Sequence, residues 1–565
     1  MEKYYAKSPN IQGQMETVQH HLLRTGELCS AFLSVLGWKD VGEILGKLHD
    51  FGKYSILFQQ VLKGLRVHVN HAYPGAALAL NSYGQGRSQT AKMMAMAIAA
   101  HHSQLNQDCL DTLRRLMRGE GDREDSCGNS LSLFGREEMQ QSALLFRQEL
   151  SVPRLASSLI SSEEENTPLS RMLCARFLLS ALADADYSSS AEHNDPDYLS
   201  THTGSEFNAA AALERLMELR RQKQKNSTAS GPLNRLRDQL FEDCLTAAQQ
   251  PPGIFRLTAP TGLGKTLSLF AFAAQHCQLY KKRRVILVLP FLAVTEQNGR
   301  DYSAVEPRLL ESHSAAELSE EARGWSERWS APCIVTTNVG FFEPLFSAKP
   351  TACRRLHQIA NSVIVLDEAQ SLPSHLLDAT LRTLQTLCRS YGCTVVLSTA
   401  TQPSFEYLPN INWMPREIVP NPQHLFQVTQ RVAYHWRIDR PTPLPQIAAE
   451  LSEKNCGCAI FNLRAHAKSL YRQLCQLCGP EDVFYLSTDL CTAHRRVVLE
   501  RVKSRITQGR RCYLAATQCI EAGVDLDFPL VYRALAPLEA IIQAAGRCNR
   551  NGAALTPPVS AGRPL

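Results

Sequence analysis

Hydrophobic positions in the first third of the chain recur with helical spacing. In Val18–Leu36 and again in Met93–Ala100, apolar side chains return every three or four positions, and β-branched runs are scarce. The stretch 213–225 continues a helical pattern with arginines, lysines and glutamates, and it ends in a cluster of small, polar and helix-breaking residues. The pattern predicts an all-α amino-terminal domain over 1–212, followed by a linker at 213–232.

Beyond this linker, short apolar runs alternate with helical patterns, which is typical of buried parallel strands joined by crossover helices. The runs are Ile254–Thr258, Val285–Leu289, Ile334–Thr336, Val363–Leu366, Thr394–Ser398, Cys458–Asn462, Val483–Leu486, Arg511–Ala515 and Leu530–Ala534. They predict two α/β domains with parallel sheets, at 233–410 and 446–552. A proline-rich inter-lobe segment, 411–445, separates them, and we expect a disordered tail at 553–565.

Composition narrows the class of protein. The chain has 565 residues, of which 44% are apolar and 20% charged, as in folded globular proteins. Its formal net charge of +6 permits a nucleic-acid partner without indicating one. The amino terminus has no apolar signal core, so the 18 cysteines predict reduced thiols in a cytoplasmic protein. No apolar run approaches the ~18 residues that span a bilayer, so we expect no membrane association.

A glycine-containing turn between a predicted strand and a predicted helix has the composition of a phosphate-binding loop. The segment Thr258–Thr266 reads Thr-Ala-Pro-Thr-Gly-Leu-Gly-Lys-Thr, with Ala259 where the usual pattern has its first glycine. Backbone N–H groups approach phosphates at the glycines, the lysine reaches the β and γ phosphates, and the last threonine holds Mg²⁺. The predicted nucleotide contacts are Thr261, Gly262, Gly264, Lys265 and Thr266.

Two further motifs fit a nucleotide hydrolase. Asp367 and Glu368 follow an apolar strand, where Asp367 would bind Mg²⁺ and Glu368 would polarise the attacking water. In the second α/β domain, Arg547 and Arg550 lie three apart on one helix face, beside glycine and glutamine. We expect them to reach the γ phosphate from across a cleft, as arginine fingers do; the alternative is a solvated basic face.

The order of these motifs resembles a superfamily 2 helicase core over roughly Leu233–Gly552. The motifs are the phosphate-binding loop, Asp-Glu-Ala-Gln, the Ser-Thr-Ala-Thr that begins at Ser398, and Gln-x-x-Gly-Arg-x-x-Arg. The resemblance implies two RecA-like lobes that bind ATP and Mg²⁺ in their cleft, with single-stranded nucleic acid across them. It adds Gly523, Asp525 and Gln543 to the nucleotide contacts. It also suggests strand-contacting residues at Thr336, Thr337, Asn338, Asn462, Ser487 and Thr488.

The helical domain carries a second constellation of histidines and aspartates. The candidate metal ligands are His21, His49, Asp50, His71, His101, His102 and Asp186. Neutral imidazoles and carboxylates suit first-row metals, and Asp50 would bridge two ions that clamp a phosphodiester. Lys53, one turn after His49, is a candidate for holding a phosphate. Adjacent histidines cannot both face one point in mid-helix, so His101 and His102 require a helix end.

This set resembles the HD superfamily of metal-dependent phosphohydrolases, in which His21 fits better than His20 and Asp186 better than Asp184. An HD domain ahead of a Asp-Glu-Ala-Gln helicase resembles the CRISPR-associated helicase–nuclease of type I systems, and looks closest to the type I-C branch. The run Tyr187–Ser190 departs from the family's more acidic segment.

The resemblance implies a monomeric, 3′-to-5′ translocating ATPase that feeds single-stranded DNA to an HD site holding two divalent ions (Mn²⁺, Ni²⁺, Co²⁺ or Fe²⁺). Its partner would be the Cascade–crRNA complex on target DNA. The family has a further carboxy-terminal domain, so we expect a truncated form of low processivity. Two alternatives stay open: a helicase-like regulator whose HD site hydrolyses a small nucleotide, and a non-catalytic remnant that binds DNA or Cascade.

Overall fold

The structure is a computed structural model of the chain. It describes residues 3–65, 69–84, 88–106, 108–118, 136–160, 162, 165–227, 229, 231–290, 299, 301–313, 316, 318–400, 405, 408, 411, 414–521, 526–551 and 558–564. Within these residues, none of the helices is both long enough and apolar enough to cross a membrane.

The amino-terminal part is built from helices. They are α1 (Val18–Leu33), α2 (Lys39–Leu48), α3 (Ile56–Leu62), α4 (Ala72–Tyr83), α5 (Gln89–Ala100), α6 (Cys109–Met117), α7 (Arg136–Glu149), α8 (Pro168–Glu192) and α9 (Tyr198–His202). The prediction of an all-α domain is wrong in one detail: β1 (Tyr5–Lys7) pairs antiparallel with β2 (Glu16–Thr17). These strands are too short to give a periodic signal in the sequence.

The next α/β unit, lobe one, contains a seven-stranded sheet with the order β5-β6-β4-β7-β8-β3-β9, and all its pairings are parallel. The strands are β3 (Ile254–Thr258), β4 (Arg284–Leu289), β5 (Leu309–Ser312), β6 (Cys333–Thr337), β7 (Ser362–Leu366), β8 (Thr394–Thr399) and β9 (Arg416–Glu417). The helices are α10 (Ala209–Lys225), α11 (Gly231–Ala247), α12 (Lys265–Tyr280), α13 (Glu320–Arg328), α14 (Asn338–Phe346), α15 (Pro350–Cys353) and α16 (Leu377–Ser390).

The last α/β unit, lobe two, contains a six-stranded parallel sheet with the order β10-β15-β14-β11-β13-β12. Its strands are β10 (Ala433–Thr442), β11 (Cys456–Phe461), β12 (Val483–Leu486), β13 (Cys512–Thr517), β14 (Val531–Ala534) and β15 (Pro558–Pro564). Helix α17 (Pro422–Val428) precedes this sheet and buries Leu425 in the core of lobe one. The helices of lobe two are α18 (Leu444–Ser452), α19 (Arg464–Cys478), α20 (Thr492–Thr507) and α21 (Leu538–Ala545).

Lobe one buries both faces of its sheet, as its near-continuous apolar strands require. Alternate side chains of β4 enter different cores. Ile286 and Val288 join the core that contains the amino-terminal helices, whereas Val285 and Leu287 join the core of α10, α11 and α12. The amino-terminal helices and lobe one therefore share one hydrophobic core.

Three segments differ from the sequence predictions. The predicted linker 213–232 is mostly helical, because α10 buries Ala212 and Leu216 in the core of lobe one. The predicted inter-lobe segment 411–445 contributes β9 to the sheet of lobe one and β10 to that of lobe two. The predicted disordered tail 553–565 contains β15, which pairs with β10 and β14 and buries Val559.

Candidate functional site

Helix ends bring the histidines and aspartates of the amino-terminal part together. His21 lies in the first turn of α1, and His49 and Asp50 follow α2 directly. His71 precedes α4, while His101 and His102 follow α5, so the predicted helix end is present. Asp186 lies in the last third of α8. Residues that are distant in sequence therefore meet where five helices converge.

A close helix crossing places His21 beside His49. Helices α1 and α2 approach so tightly that a Cβ on Gly46 would meet the backbone N of Gly26 at 2.4 Å. Only glycine allows two backbones this close. The two imidazole rings stand edge to face with centroids 5.2 Å apart.

Asp50 lies between two groups of ligand-type atoms. Its Oδ2 is 3.2 Å from His21 Nε2 and 3.3 Å from His49 Nε2, and Asp186 Oδ1 is 3.4 Å from the same His21 atom. Its Oδ1 is 3.4 Å from His71 Nε2 and 3.3 Å from His101 Nε2. Each carboxylate oxygen therefore faces a different set of imidazoles.

The imidazoles are held with Nε2 directed at this centre. The Nδ1–H group of His49 donates to the Gly46 carbonyl at 2.8 Å, and that of His101 donates to the Ile98 carbonyl at 2.6 Å. His71 Nδ1 donates to the Val69 carbonyl at 3.2 Å. Nε2 of both His49 and His71 is buried without a hydrogen-bond partner. Fixing the Nδ1–H tautomer leaves the Nε2 lone pair for a metal ion.

The donor atoms form two overlapping sets, in each of which they lie within 4.8 Å of one another. One set is His21, His49, Asp50 and Asp186; the other is Asp50, His71, His101 and His102. Every sequence-predicted ligand therefore falls in one of the two, and Asp50 falls in both. Imidazole nitrogens and carboxylate oxygens fit a first-row divalent ion, and the unpaired Nε2 atoms are the lone pairs that such an ion requires.

Electrostatics keep the shared carboxylate ionised. Burial raises the pKa of Asp50, but the positive charges of protonated His49 and of Lys53 outweigh this effect and hold the pKa well below its usual range. Burial lowers the pKa of His49, but Asp50 and Asp186 outweigh that effect and raise the pKa to about 9, so a metal ion would replace a proton on this imidazole. Lys53 Nζ lies 2.6 Å from Asp50 Oδ2. The predicted phosphate-holding lysine is therefore engaged with the central aspartate here.

Sequence reasoning missed the groups that surround His21. Ser189 Oγ lies 3.1 Å from His21 Nδ1, and Glu16 Oε2 lies 3.7 Å from the same nitrogen. Glu16 in turn pairs with Lys7 at 2.6 Å. Ser189 belongs to the serine run that departs from the family pattern. A single serine or glutamate has no characteristic spacing in a sequence, so only the folded structure identifies Ser189 and Glu16 as neighbours of His21.

His20 and Asp184, which fitted the motif less well than His21 and Asp186, lie outside the ligand cluster. His20 is exposed and contacts Glu16, outside the two ligand sets. Asp184 points away from the cluster and pairs with Arg328 and Arg354 of lobe one.

A second site is a cavity of about 760 Å³ between the lobes. From lobe one it is lined by the predicted loop residues Thr261, Gly262, Gly264, Lys265 and Thr266, together with Asp367 and Glu368. From lobe two it is lined by Arg547 and Arg550. The cavity thus unites motifs that are far apart in the sequence, as a nucleotide cleft requires.

Within this cleft, Lys265 begins α12, and its Nζ is buried without a hydrogen-bond partner. A buried ammonium of this kind requires an anionic partner, which the β and γ phosphates would supply. Burial, with Glu368 alongside, raises the pKa of Asp367 to about 6. Ser398 Oγ donates to Asp367 Oδ1 at 2.9 Å. The first residue of the Ser-Thr-Ala-Thr motif therefore contacts the predicted Mg²⁺ ligand.

The two predicted arginine fingers do not lie on one helix face, because α21 ends at Ala545, before both of them. Their surroundings also differ. A methyl group at Gly262 would lie 3.4 Å from Cγ of Arg550, so Arg550 packs against the phosphate-binding loop. Arg547 instead donates from Nε to the Ile520 carbonyl at 3.0 Å and from Nη2 to the Glu521 carbonyl at 2.7 Å, both within lobe two.

The remaining predicted nucleotide contacts do not line this cavity or cannot be placed. Gln543 lies on α21, outside the cavity lining. Gly523 and Asp525 lie outside the described residues. A Cβ at Gly546 would meet Thr261 Oγ1 at 2.3 Å, so only glycine fits this contact between the lobes.

Two arginines that the motifs did not predict bind the phosphate-binding loop. Arg237 Nε donates to the Gly262 carbonyl at 3.1 Å, and Arg431 Nη2 donates to the Thr261 carbonyl at 2.6 Å. The backbone carbonyl of Arg431 also accepts from Asn549 of lobe two at 2.8 Å.

The polar residues suggested to contact a nucleic-acid strand lie at or beyond the carboxyl ends of parallel strands. Thr336 and Thr337 close β6, and Asn338 begins α14. Asn462 follows β11, and Ser487 and Thr488 follow β12. Asn338 Nδ2 donates to Ser371 Oγ at 3.1 Å, and Asn462 Nδ2 donates to the Leu535 carbonyl at 2.7 Å.

The fold and its two sites define a class: two parallel α/β lobes with a nucleotide cleft, joined to a helical domain with a histidine–aspartate centre. Comparisons with known proteins agree with this class. Residues 236–407 match the family model of the DEAD/DEAH box helicases. Residues 453–553 match the model described as CRISPR-associated nuclease/helicase Cas3, C-terminal.

Particular relatives carry the same name. The chain is 24% identical over 426 residues to the CRISPR-associated nuclease/helicase Cas3 of Haloferax volcanii, covering 54% of this chain and 45% of that protein. It is 25% identical over 335 residues to the Cas3 of Methanothermobacter thermautotrophicus, covering 52% and 38%. The matches to the curated relatives thus span less than half of their length.

Solved structures share the fold. The crystal structure of T. fusca Cas3 with ATP has a TM-score of 0.70 at 19% identity, covering 100% of this chain and 75% of that one. A structure described as a CRISPR RNA-guided surveillance complex, pre-nicking, has a TM-score of 0.62 at 18% identity, covering 100% and 74%. The sequence matches confirm the predicted resemblance to the CRISPR-associated helicase–nucleases, and these structures show that the fold is shared.

Proposed function

We propose that this chain is a metal-dependent single-stranded DNA nuclease joined to an ATP-driven helicase motor, which degrades foreign DNA in CRISPR interference. The observation that carries the nuclease is Asp50, whose two oxygens each face a separate group of imidazoles. A carboxylate so placed is suited to bridge two ions, and paired ions are typical of phosphodiester hydrolysis.

Seven residues would hold the metal ions: His21, His49, Asp50 and Asp186 for one, and Asp50, His71, His101 and His102 for the other. When bound, two divalent ions such as Mn²⁺, Ni²⁺, Co²⁺ or Fe²⁺ supply an activated water and neutralise phosphate charge. The chain's own part is to keep Asp50 ionised and to direct Nε2 of His49, His71 and His101 at the ions, because backbone carbonyls hold their Nδ1–H groups.

The reaction is hydrolysis of the phosphodiester. Oxygen from water forms a new bond to phosphorus, and the bond from phosphorus to one deoxyribose oxygen breaks. One product keeps the phosphate, and the leaving oxygen takes a proton. Lys53, next to Asp50, is the cation of this chain best placed to hold a phosphate when an ion replaces it on the carboxylate.

The motor would bind ATP and Mg²⁺ in the cleft between the lobes. Lys265 contacts the β and γ phosphates, Asp367 binds Mg²⁺, and Glu368 polarises the attacking water. Arg550 stands across the cleft beside the loop, where an arginine finger acts. Because Ser398 bonds Asp367, the state of the nucleotide is linked to the carboxyl end of β8.

We infer the binding partners of this chain from proteins that share its fold. One structural neighbour is part of a surveillance complex before nicking, so we propose that the Cascade–crRNA complex on target DNA recruits this chain. Single-stranded DNA would cross the edge where β6, β11 and β12 end and would continue to the metal centre.

The experiment that tests the proposal is cleavage of circular single-stranded DNA. We expect linear products with Mn²⁺ or Ni²⁺, without ATP, and none with EDTA. Separately, single-stranded DNA should stimulate ATP hydrolysis. Hydrolysis of small nucleotides with intact circles would favour the regulator, and failure of both assays would favour a DNA-binding remnant.

A further inference from the structure

Helix α8 presents different residues to the metal-ligand cluster and to lobe one. An α-helix turns by about 100° per residue, so Asp184 and Asp186 point in nearly opposite directions. Asp186 and Ser189 face the histidines, where Ser189 Oγ contacts His21 Nδ1 at 3.1 Å. Arg176, Ser180 and Asp184 recur every four residues and face lobe one.

On the face toward lobe one, Asp184 is the centre of a buried charge network. Arg328 Nε lies 3.0 and 2.9 Å from the two Asp184 oxygens, and Arg354 Nε lies 2.7 Å from Oδ1. Asp184 is fully buried, Arg328 is 1% exposed in its side chain and Arg354 9%. His357 Nε2 lies 3.6 Å from Asp184 Oδ2. Two guanidinium groups of the motor thus converge on one aspartate of the helical domain.

The same residues also contact the helix that carries His21. Phe32, on α1, stacks on His357 with ring centroids 5.0 Å apart, and the Arg328 guanidinium lies 5.2 Å from the Phe32 ring centroid. Ser180 Oγ accepts from the backbone N of His357 at 2.9 Å. Both α1 and α8, which supply His21 and Asp186, are therefore fixed against lobe one.

The position of these residues in lobe one links them to the nucleotide cleft. Arg354 follows α15, and His357 precedes β7. Strand β7 leads directly to Asp367 and Glu368 in the cleft. The segment that holds Asp184 is thus continuous with the strand that carries the proposed catalytic carboxylates of the motor.

We propose that Asp184 is a positioning residue for the metal centre: Arg328 and Arg354 of lobe one hold it, and thereby set the rotation of α8 that presents Asp186 to His21 and His49. The motor lobe would then be part of what makes the nuclease competent to bind metal. This inference rests on the proposed nuclease function.

The energetics favour a single geometry for α8. A buried carboxylate is stable only with its charge and hydrogen bonds compensated, and two fork-shaped guanidinium groups compensate it in few orientations. Lys does not reproduce this fork, so Arg328→Lys keeps the charge but loses the two-point contact. A rotation of α8 would move Asp186 and Ser189 together, because both lie on the same helix.

The test is the affinity for Mn²⁺, measured by calorimetry on the full chain, with thermal unfolding recorded in parallel. We expect Asp184→Asn and Arg328→Lys to weaken Mn²⁺ binding on the order of tenfold to a hundredfold, the usual effect of residues that orient metal ligands. Arg176→Met is the matched control, because Arg176 lies on the same face of α8 and donates to the Ser347 carbonyl of lobe one at 2.8 Å, two turns from Asp184. It should change the affinity less than about twofold.

The outcomes separate this inference from the function on which it rests. If Asp186→Asn binds Mn²⁺ as tightly as the parent chain, the assignment of the cluster as a metal centre is wrong. If Asp186→Asn loses binding while folded Asp184→Asn and Arg328→Lys keep it, only the positioning role fails. Should Asp184→Asn not fold, Arg328→Lys decides, because it retains the buried positive charge. A lower unfolding temperature with unchanged Mn²⁺ affinity would show a merely structural contact.

Discussion

At the scale of single residues, Asp50 distinguishes this centre from an ordinary cluster of core histidines. A core histidine is normally satisfied by its own separate partners, whereas here Nε2 of four imidazoles, those of His21, His49, His71 and His101, faces the two oxygens of one buried carboxylate. Burying these ring nitrogens away from water costs free energy, and a bound ion would offset that cost. The sequence predicted each ligand from its motif, but not Ser189 or Glu16, because their role depends on a fold contact with His21.

The two adjacent histidines of α1 provide a prediction with an internal control. His21→Ala removes a buried ligand that lies 3.2 Å from Asp50, and we expect about tenfold or greater loss of Mn²⁺ affinity. His20→Ala removes an exposed side chain that contacts only Glu16 among the groups of this site, and it should leave the affinity unchanged. Calorimetric titration checks both; equal affinities for the two variants would contradict the ligand assignment.

A substitution of Lys265 tests whether the cleft between the lobes hydrolyses ATP. Lys265→Ala removes the buried cation at the start of α12, so ATP hydrolysis should fall to background in a phosphate-release assay. Lys349→Ala, an exposed lysine of the same lobe, should hydrolyse ATP at the parent rate. If Lys265→Ala hydrolyses ATP at the parent rate, the assignment of Thr258–Thr266 as a phosphate-binding loop is wrong.

The two arginines of lobe two should behave differently from each other. Arg550→Ala should lower turnover by about 10³-fold with little change in nucleotide affinity, because an arginine finger acts on transition-state charge. Arg547→Ala should instead lower the stability of the protein by about 1.5–3 kcal/mol, since it removes charge-assisted bonds to two carbonyls. Steady-state kinetics and thermal unfolding distinguish them, and loss of ATP binding alone in Arg550→Ala would contradict its assignment.

At the scale of elements, buried strands were the most predictable feature. Ile254–Thr258 and Val483–Leu486 were predicted with the observed bounds, although each is only partly buried. The fully buried strands β4 and β7 were predicted to within one residue, as Val285–Leu289 and Val363–Leu366, because buried parallel strands are short, continuous apolar runs. Strands β5, β9, β10 and β15 were missed. Strands β5 and β9 are only four and two residues long, and β10 exposes most of its side chains, so these three show no continuous apolar run of the predicted kind.

The predicted tail provides a test at this scale. Val559 of β15 is fully buried in the core of lobe two. Val559→Asp should therefore destabilise the protein by about 2 kcal/mol or more, because it buries a carboxylate without a partner. Val497→Asp, on a 45% exposed position of α20 in the same lobe, should have little effect. Thermal unfolding is the measurement, and identical curves would support the disordered tail that the composition suggested.

At the scale of the whole molecule, the chain combines two sites with separate chemistry and one shared core. The sequence motifs predicted most residues of both sites, because each motif is a local pattern of residues. The contact between them was not predictable, because Asp184 resembles Asp186 in sequence and only the packing of α8 shows that one faces lobe one and the other the histidines.

The central claim, that one chain holds a metal nuclease that needs no ATP and an ATP motor, is tested most directly by circular single-stranded DNA incubated with Mn²⁺. Three proteins are compared: the parent chain, Asp50→Ala and Lys265→Ala, each assayed for cleavage and for ATP hydrolysis. The account predicts that Lys265→Ala still opens the circles without hydrolysing ATP, and that Asp50→Ala hydrolyses ATP and leaves the circles intact. Cleavage by Asp50→Ala at the parent rate, or loss of both activities in either folded variant, would contradict it.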